Sequence, residues 1–131
     1  MLAQAIKCVL KNLKHEGRLG MHKRTTDTPP ITQNILIIRL SAIGDVIMSS
    51  GLISAVRTRF PGAKLSWVSE PAAAQVIKAN AHIDSVIIWP KEQWKSLWRT
   101  RQFAQLFNEV KRFRQQLREQ NFTLVLDAQG L

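Results

Sequence analysis

Short runs of apolar residues alternate along the chain with longer segments of helical periodicity. Residues 35–40 are almost entirely branched and apolar, which is typical of a parallel strand covered on both faces. The order of strand, helix and strand then repeats, and this indicates an α/β fold with a Rossmann-like parallel sheet and right-handed crossovers. The sequence predicts strands at 35–40, 64–69, 85–89 and 122–126, and helices at 44–60, 72–79 and 101–120.

Two of these helices carry the apolar faces that should cover the sheet. Between the third strand and the last helix, residues 91–99 are rich in tryptophan and lysine, and we expect a loop there. The first helix should bury Val46, Ile53, Val56 and Phe60, and the last should bury Phe103, Leu106, Phe107, Val110, Phe113 and Leu117.

Residues 1–33 differ from everything that follows. Apolar residues at helical spacing with lysines between them predict a basic amphipathic helix at 2–14, suited to an anionic membrane surface. A linker rich in Gly, Thr and Pro comes next. The alternative is an upstream extension, with Met21 as the true start. We therefore divide the chain into an extension at 1–33 and a domain at 34–131.

Charge and cysteine content narrow the function classes. The net charge of +10 and the pI near 10.7 indicate an anionic partner, which could be nucleic acid, an acidic membrane or a phosphorylated glycolipid. A solvated helix face explains the same charge. The single cysteine, Cys8, excludes an internal disulfide, and no Cys/His cluster has metal-ligand spacing, so the default is a reducing cytoplasmic setting without zinc.

Candidate chemistry follows the first and fourth predicted strands, because ligands bind at the carboxyl ends of strands in open α/β sheets. A helix N-terminus would stabilise the Asp45 carboxylate, although Asp is also common there for structural reasons alone. The glycine signatures of dinucleotide enzymes and P-loop proteins are absent from the sequence. The candidate residues are Ser41, Gly44 and Asp45 after the first strand, and Asp127, Gln129 and Gly130 after the fourth.

Five short motifs together give the chain a family resemblance from residue 34 to residue 131. They are Ser-Ala-Ile-Gly-Asp-Val at 41–46, Phe-Pro-Gly-Ala at 60–63, Leu-Ser-Trp-Val-Ser-Glu at 65–70, His-Ile-Asp-Ser-Val-Ile-Ile at 82–88 and Asp-Ala-Gln-Gly-Leu at 127–131. With these motifs the chain resembles the lipopolysaccharide heptosyltransferases of glycosyltransferase family nine. The extension at 1–33 departs from the pattern of that family.

The resemblance implies an incomplete, acceptor-side domain, the N-terminal half of a GT-B glycosyltransferase. It implies Asp45 as catalytic base, an acceptor in the lipopolysaccharide inner core, and an ADP-heptose donor bound mainly by a domain absent here, with no other cofactor and no metal. It also implies a cytoplasmic enzyme at the inner membrane. The implied substrate contacts are Ser41, Gly44, Asp127, Gln129 and Gly130, with Lys95, Arg99 and Arg101 on a basic loop facing the phosphorylated core.

Two other classes of protein stay open. A non-catalytic truncated fragment fits a chain that stops after its fourth strand, and a nucleic-acid-binding module, which we regard as the less favoured reading, fits the net charge. If the domain is one half of a transferase, we expect the 131-residue chain alone to be inactive.

Overall fold

The computed structural model describes residues 33–129, which form a four-stranded, all-parallel sheet in the order β3-β2-β1-β4. The basic helix predicted at 2–14 and all of the predicted extension at 1–33 except its last residue lie outside the described residues, as do Gly130 and Leu131. The strands are β1 (Asn34–Ile38), β2 (Lys64–Ser69), β3 (Ser85–Ile88) and β4 (Leu124–Asp127), and the helices are α1 (Ile43–Ser49), α2 (Gly51–Arg59), α3 (Pro71–Lys78), α4 (Lys91–Arg99) and α5 (Phe103–Glu119).

Helices cover both faces of the sheet, as the unbroken apolar run of β1 predicts. Ile35 and Ile37 pack with residues of α1, α2 and α3 on one face. Leu36 and Ile38 pack with residues of α4 and α5 on the other. Because all four side chains are at most 1% exposed, β1 contributes to both halves of the core, and the predicted α/β class is confirmed.

The predicted helix at 44–60 is wrong in one respect, since the structure has two helices with a break at Ser50. The Ser50 hydroxyl donates a hydrogen bond to the Ile47 carbonyl at 2.6 Å. Serine side chains compete in this way for helical carbonyls. The neighbouring Ser49 and Gly51 are also weak helix formers, so the helix ends there and α2 starts anew.

The predicted loop at 91–99 is also wrong, because these residues form α4. Trp94 and Leu97, three residues apart, are buried against the sheet face that α5 covers. The rings of Trp89, Trp94 and Phe113 meet edge to face, with centroids 4.9 to 5.6 Å apart. Large aromatic contacts of this kind stabilise a short helix that propensity alone would not.

The last helix is buried along only part of the face that its sequence pattern predicts. Leu106, Phe113 and Leu117 are buried, whereas Phe103 and Phe107 are 52% and 69% exposed. The prediction that these two phenylalanines are buried is therefore wrong. They lie in the first two turns of α5, at the end that follows α4.

A charged cluster stabilises the amino edge of the sheet, where the strands begin. The Asp84 carboxylate accepts a hydrogen bond from the Leu65 backbone N–H at 2.7 Å and one from Arg57 at 2.8 Å. The Leu65 N–H is the main reason that the pKa of Asp84 lies below its ordinary value; Arg57 and Lys64 lower it further, against the raising effect of burial. Arg57 also donates to the carbonyl groups of Ala63 and His82.

The lowered pKa of Asp84 predicts a pH-dependent contribution to stability. A carboxyl group whose pKa is lower in the folded chain stabilises the fold above its unfolded pKa, and this contribution is lost as the pH falls through the folded pKa. We expect Asp84→Asn to lower the urea midpoint at pH 7, and the gap from the parent chain to shrink below about pH 4. Unfolding followed by tryptophan fluorescence measures both effects.

Glu92→Gln is the matched control, because Glu92 is an exposed carboxylate on a helix surface. It should shift the midpoint little at either pH. A gap for Asp84→Asn that stayed constant from neutral to acid pH would contradict the role assigned to the carboxylate.

Candidate active site at the carboxyl edge of the sheet

The two residues that follow β1 are held by hydrogen bonds from both neighbouring strands. The Leu40 N–H donates to Oε1 of Gln129 at 2.9 Å. The Leu40 carbonyl accepts from the Glu70 N–H at 2.9 Å and from the Ser69 hydroxyl at 3.4 Å. The Arg39 N–H donates to the Val68 carbonyl. The chain therefore leaves β1 along a fixed path toward α1.

Asp45 lies in the first turn of α1, at the carboxyl edge of the sheet. Its neighbour Val46 is fully buried in the core, and this anchors the turn from which the aspartate projects. The Asp45 side chain is 58% exposed. A solute can therefore reach the carboxylate, as a base acting on a bound hydroxyl group requires.

Arg39 joins Asp45 to the end of β4. One guanidinium nitrogen lies 2.7 Å from Oδ2 of Asp45, and another donates to the Ala128 carbonyl at 2.6 Å. The arginine side chain is only 17% exposed, and its buried Nε has no hydrogen-bond partner among the described residues. The planar fork of arginine suits such a bridge between two acceptors.

Gly44 and Ser41, the other two candidates after β1, are small residues close to Asp45 in sequence. Gly44 lies inside α1, and a Cβ atom there would meet nothing within 4 Å. No steric need of the free chain therefore explains the glycine, which leaves open space beside Asp45. Ser41 is half-buried in the bend before α1, and Ala42 occupies the N-cap position without a side-chain cap.

Two of the three candidate residues at the end of β4 have structural contacts. Asp127 is the last residue of the strand and lies opposite Ile38. Its Oδ1 accepts a hydrogen bond from the Gln129 N–H at 2.9 Å. The side-chain oxygen of Gln129 is occupied by the Leu40 N–H. Both residues thus help to position the Arg39 segment, whatever else they bind.

Two of the three basic candidates, Lys95 and Arg99, lie on α4 and not on a loop, and Arg101 lies in the short connection between α4 and α5. Lys95 contacts Glu92 on the same helix at 3.2 Å. Arg99 ends α4, and Arg101 follows with a left-handed φ of 55°. Another charged pair lies near the strand ends: Glu70, the residue after β2, contacts Lys91, three residues after β3, at 2.9 Å.

The sequence analysis missed Arg39, Glu70 and Lys91. Each is a charged residue that comes one to three residues after an apolar strand, and that position was the available signal. The pairing could not be predicted, because Arg39 reaches Asp45 and Ala128 only once β1 and β4 lie side by side.

Within residues 33–129, no group of three or more His, Cys, Asp or Glu side chains is placed to hold a metal ion. In the same residues, no helix combines the length and the apolar character that crossing a bilayer requires.

The fold identifies a class of protein. A parallel sheet with helices on both faces and polar groups after its central strand is a Rossmann-like α/β domain, and its structural neighbours place it with the GT-B glycosyltransferases. No family model matches the chain.

Individual relatives carry the identification further. The chain is 33% identical over 97 residues to lipopolysaccharide heptosyltransferase 1 of Escherichia coli K12, and 33% identical over 98 residues to the Pseudomonas aeruginosa enzyme of the same name. It superimposes on the structure of the E. coli heptosyltransferase WaaC with ADP-2-deoxy-2-fluoro heptose, with a TM-score of 0.64 and 32% identity over 76% of the chain. The resemblance to the heptosyltransferases is confirmed, and it lies in their N-terminal part.

The aligned region is a large part of this chain but a small part of each relative. It takes in 74% of this chain, but only 30% of the E. coli protein and 26% of the P. aeruginosa protein. The chain therefore spans less than a third of the length of these curated relatives.

The contacts of Arg39 with Asp45 and Ala128 should stabilise the fold through their geometry as well as their charge. A lysine at this position keeps the charge but cannot hold Asp45 and the Ala128 carbonyl in one fork. We expect Arg39→Lys to lower the free energy of unfolding by about 1–3 kcal/mol, the cost of a lost charged hydrogen bond at a largely buried site. Urea unfolding measures this loss.

Arg59→Lys serves as the control, because Arg59 is an exposed residue at the end of α2, over the ring of Phe60. That change should stay within about 0.5 kcal/mol. If both substitutions lowered the free energy of unfolding equally, the contacts of Arg39 with Asp45 and Ala128 would not be what stabilises the fold.

Proposed function

We propose that this domain is the acceptor-binding part of a heptosyltransferase and that Asp45 is the catalytic base. The observation that carries the proposal is the exposed Asp45 carboxylate, held by Arg39 at the carboxyl edge of a domain similar to the heptosyltransferases. The whole enzyme would transfer heptose from ADP-heptose to the lipopolysaccharide inner core.

The geometry supports a single-base mechanism. Inverting transfer requires one base to take the proton from the attacking hydroxyl group as the bond to the sugar forms. Arg39 contacts Oδ2 of Asp45 at 2.7 Å, and the exposed carboxylate can receive the acceptor hydroxyl on its open side. Because Arg39 also holds the Ala128 carbonyl, the base has a defined orientation before the acceptor binds, which lowers the cost of alignment.

The open space at Gly44 supports an approach of the acceptor sugar along the start of α1. A sugar hydroxyl near Asp45 would meet open space at Gly44. The departing diphosphate would be neutralised mainly by residues outside 33–129.

Partners and location follow from the same proposal. The structure of the E. coli relative contains an ADP-heptose analogue, and we propose a related nucleotide sugar as the donor here. The acceptor would be a phosphorylated, lipid-linked core, consistent with the net charge of +10. An acceptor of this kind would keep the enzyme at the cytoplasmic face of the inner membrane.

The proposal predicts that loss of the Asp45 carboxylate abolishes the chemical step. The test uses a hybrid in which residues 34–129 take the place of the matching part of the E. coli relative, and transfer from ADP-heptose by the parent hybrid sets the reference rate. We expect Asp45→Asn to lower kcat by about 10²–10⁴-fold, the usual contribution of a general base, with little change in KM.

Asp84→Asn in the same hybrid is the matched control, because Asp84 lies at the opposite edge of the sheet. It should keep the transfer rate at temperatures where the hybrid stays folded. An Asp45→Asn hybrid that retained most of its kcat would contradict the assignment of the base. Turnover by the 131-residue chain alone would contradict the proposal that the donor is bound mainly elsewhere.

The open space beside Asp45 gives a second prediction. Gly44→Ala should leave the free chain as stable as before, or stabilise it by up to about 1 kcal/mol, because alanine favours a helix and meets no neighbour. In the hybrid, the added methyl group should raise KM for the acceptor if the sugar lies against this turn. Urea unfolding and acceptor titration separate the two effects, and an unchanged KM would place the acceptor elsewhere.

A further inference from the structure

The corner between α4 and α5 presents aromatic side chains to solvent. Trp98 on α4 and Phe103 on α5 meet edge to face, with ring centroids 5.3 Å apart. Phe107 lies one helical turn further along α5, on the same side as Phe103. The three residues are 43%, 52% and 69% exposed. We refer to Trp98, Phe103 and Phe107 as the aromatic corner.

The aromatic corner lies around the start of α5, at the end of the helix away from the amino edge of the sheet. The C-terminal end of α5 is tied to the amino edge, where the Asn34 side chain donates to the Gln120 carbonyl. Phe113 already contacts Trp89, the residue that follows β3 at the carboxyl edge. Phe103 is ten residues before Phe113 in the same helix, so it lies about 15 Å further along the axis. Leu106, which lies between Phe103 and Phe107 in sequence, is buried, so the two phenylalanines lie beside the covered face of α5 and not on it.

Basic residues surround the aromatic corner. Lys95, Arg99 and Arg101 are exposed around Trp98, and Lys111 is exposed one turn beyond Phe107. We refer to these four residues as the basic rim. The nearby acids are Glu92 and Glu109, which contact cations on their own helices, Lys95 and Arg112.

We infer that the aromatic corner docks onto the surface of an anionic lipid bilayer. Exposed tryptophan and phenylalanine side chains suit the boundary between headgroups and acyl chains, and a rim of lysine and arginine is attracted to acidic headgroups. A second copy of the corner would bring two basic rims together. Residues 1–32 carry six lysines or arginines and two acids, so that segment would also meet a rim of its own sign.

The tryptophans of the chain provide a direct probe of docking. Of the four, Trp67, Trp89 and Trp94 are at most 1% exposed, whereas Trp98 is 43% exposed. Vesicles containing brominated phosphatidylcholine and about one third phosphatidylglycerol should therefore quench Trp98 selectively. The intact 131-residue chain should bind these vesicles at low salt, and should bind pure phosphatidylcholine vesicles far more weakly.

Paired substitutions locate the surface that binds. We expect Phe107→Gln to weaken vesicle binding about tenfold by removing a buried aromatic ring, and Arg99→Gln or Arg101→Gln to weaken it about fivefold each. The controls are Met48→Gln, an exposed apolar residue of α1, and Lys78→Gln, an exposed cation of α3. Neither control should change binding or quenching by more than about twofold, because both lie on the other face of the sheet.

Several results would overturn the inference. These are absence of binding to anionic vesicles, binding that Phe107→Gln leaves unchanged, and binding that instead disappears with Leu10→Gln in the N-terminal segment. Self-association in sedimentation that depends on Phe107 would identify a second copy as the partner. A steep salt-dependent affinity for RNA that depends on the corner would identify a nucleic acid.

The inference does not rest on sugar transfer. Asp45→Asn should bind vesicles as the parent chain does, because Asp45 lies outside the aromatic corner. Failure of transfer with vesicle binding intact would therefore refute the proposed function alone. Loss of vesicle binding only in the corner variants supports docking, whatever the chemistry of the site.

Discussion

The fold and the candidate site both depend on β1 being paired on both sides. Its register places Ile38 opposite Val68 of β2 and opposite Asp127 of β4. The three strands therefore end at one level, and the chain leaving β1 meets hydrogen-bonding groups from each neighbour. Because β1 is buried on both faces, a shift of this register would expose its isoleucines or bury unpaired backbone groups.

The two edges of the sheet use charge in different ways. At the amino edge, Asp84 and Arg57 satisfy backbone groups and each other, and the result is a structural cluster. At the carboxyl edge, Arg39 is largely buried while its partner Asp45 is largely exposed. The buried Nε of Arg39 has no hydrogen-bond partner among the described residues, which is costly. Under the proposed function, Arg39 would hold the carboxylate in a fixed orientation for the acceptor.

Local patterns predicted much of the fold. The bounds of β2 match those predicted, because an apolar run lies between turn residues. The ends of β1, β3 and β4 differ by one or two residues. Periodicity failed for Phe103 and Phe107, because it identifies apolar positions on a helix but not which of them the neighbouring elements cover. It also missed α4, whose stability depends on the contact of Trp94 with Trp89 and Phe113.

Only the part of the candidate site that depends on local sequence could be predicted. The positions of Asp45, Gly44 and Ser41 follow from one strand and one turn, which are local in sequence. The bridge from Arg39 to Ala128 joins residues 89 positions apart, and no local pattern carries that information. A left-handed φ at Arg101, where glycine or asparagine is usual, likewise concealed the corner between α4 and α5.

The direction of α5 places the aromatic corner and Asp45 at the same end of the domain. Its 17 residues span about 25 Å, whereas the six residues of β2 span about 20 Å. With its C-terminal end held at Asn34, the N-terminal end of α5 lies toward the carboxyl edge, the edge that carries Asp45. A bilayer that meets the aromatic corner would then lie at the same end of the domain as the carboxylate. An acceptor anchored by its lipid could reach Asp45 with its polar part alone, so its acyl chains would not have to leave the membrane.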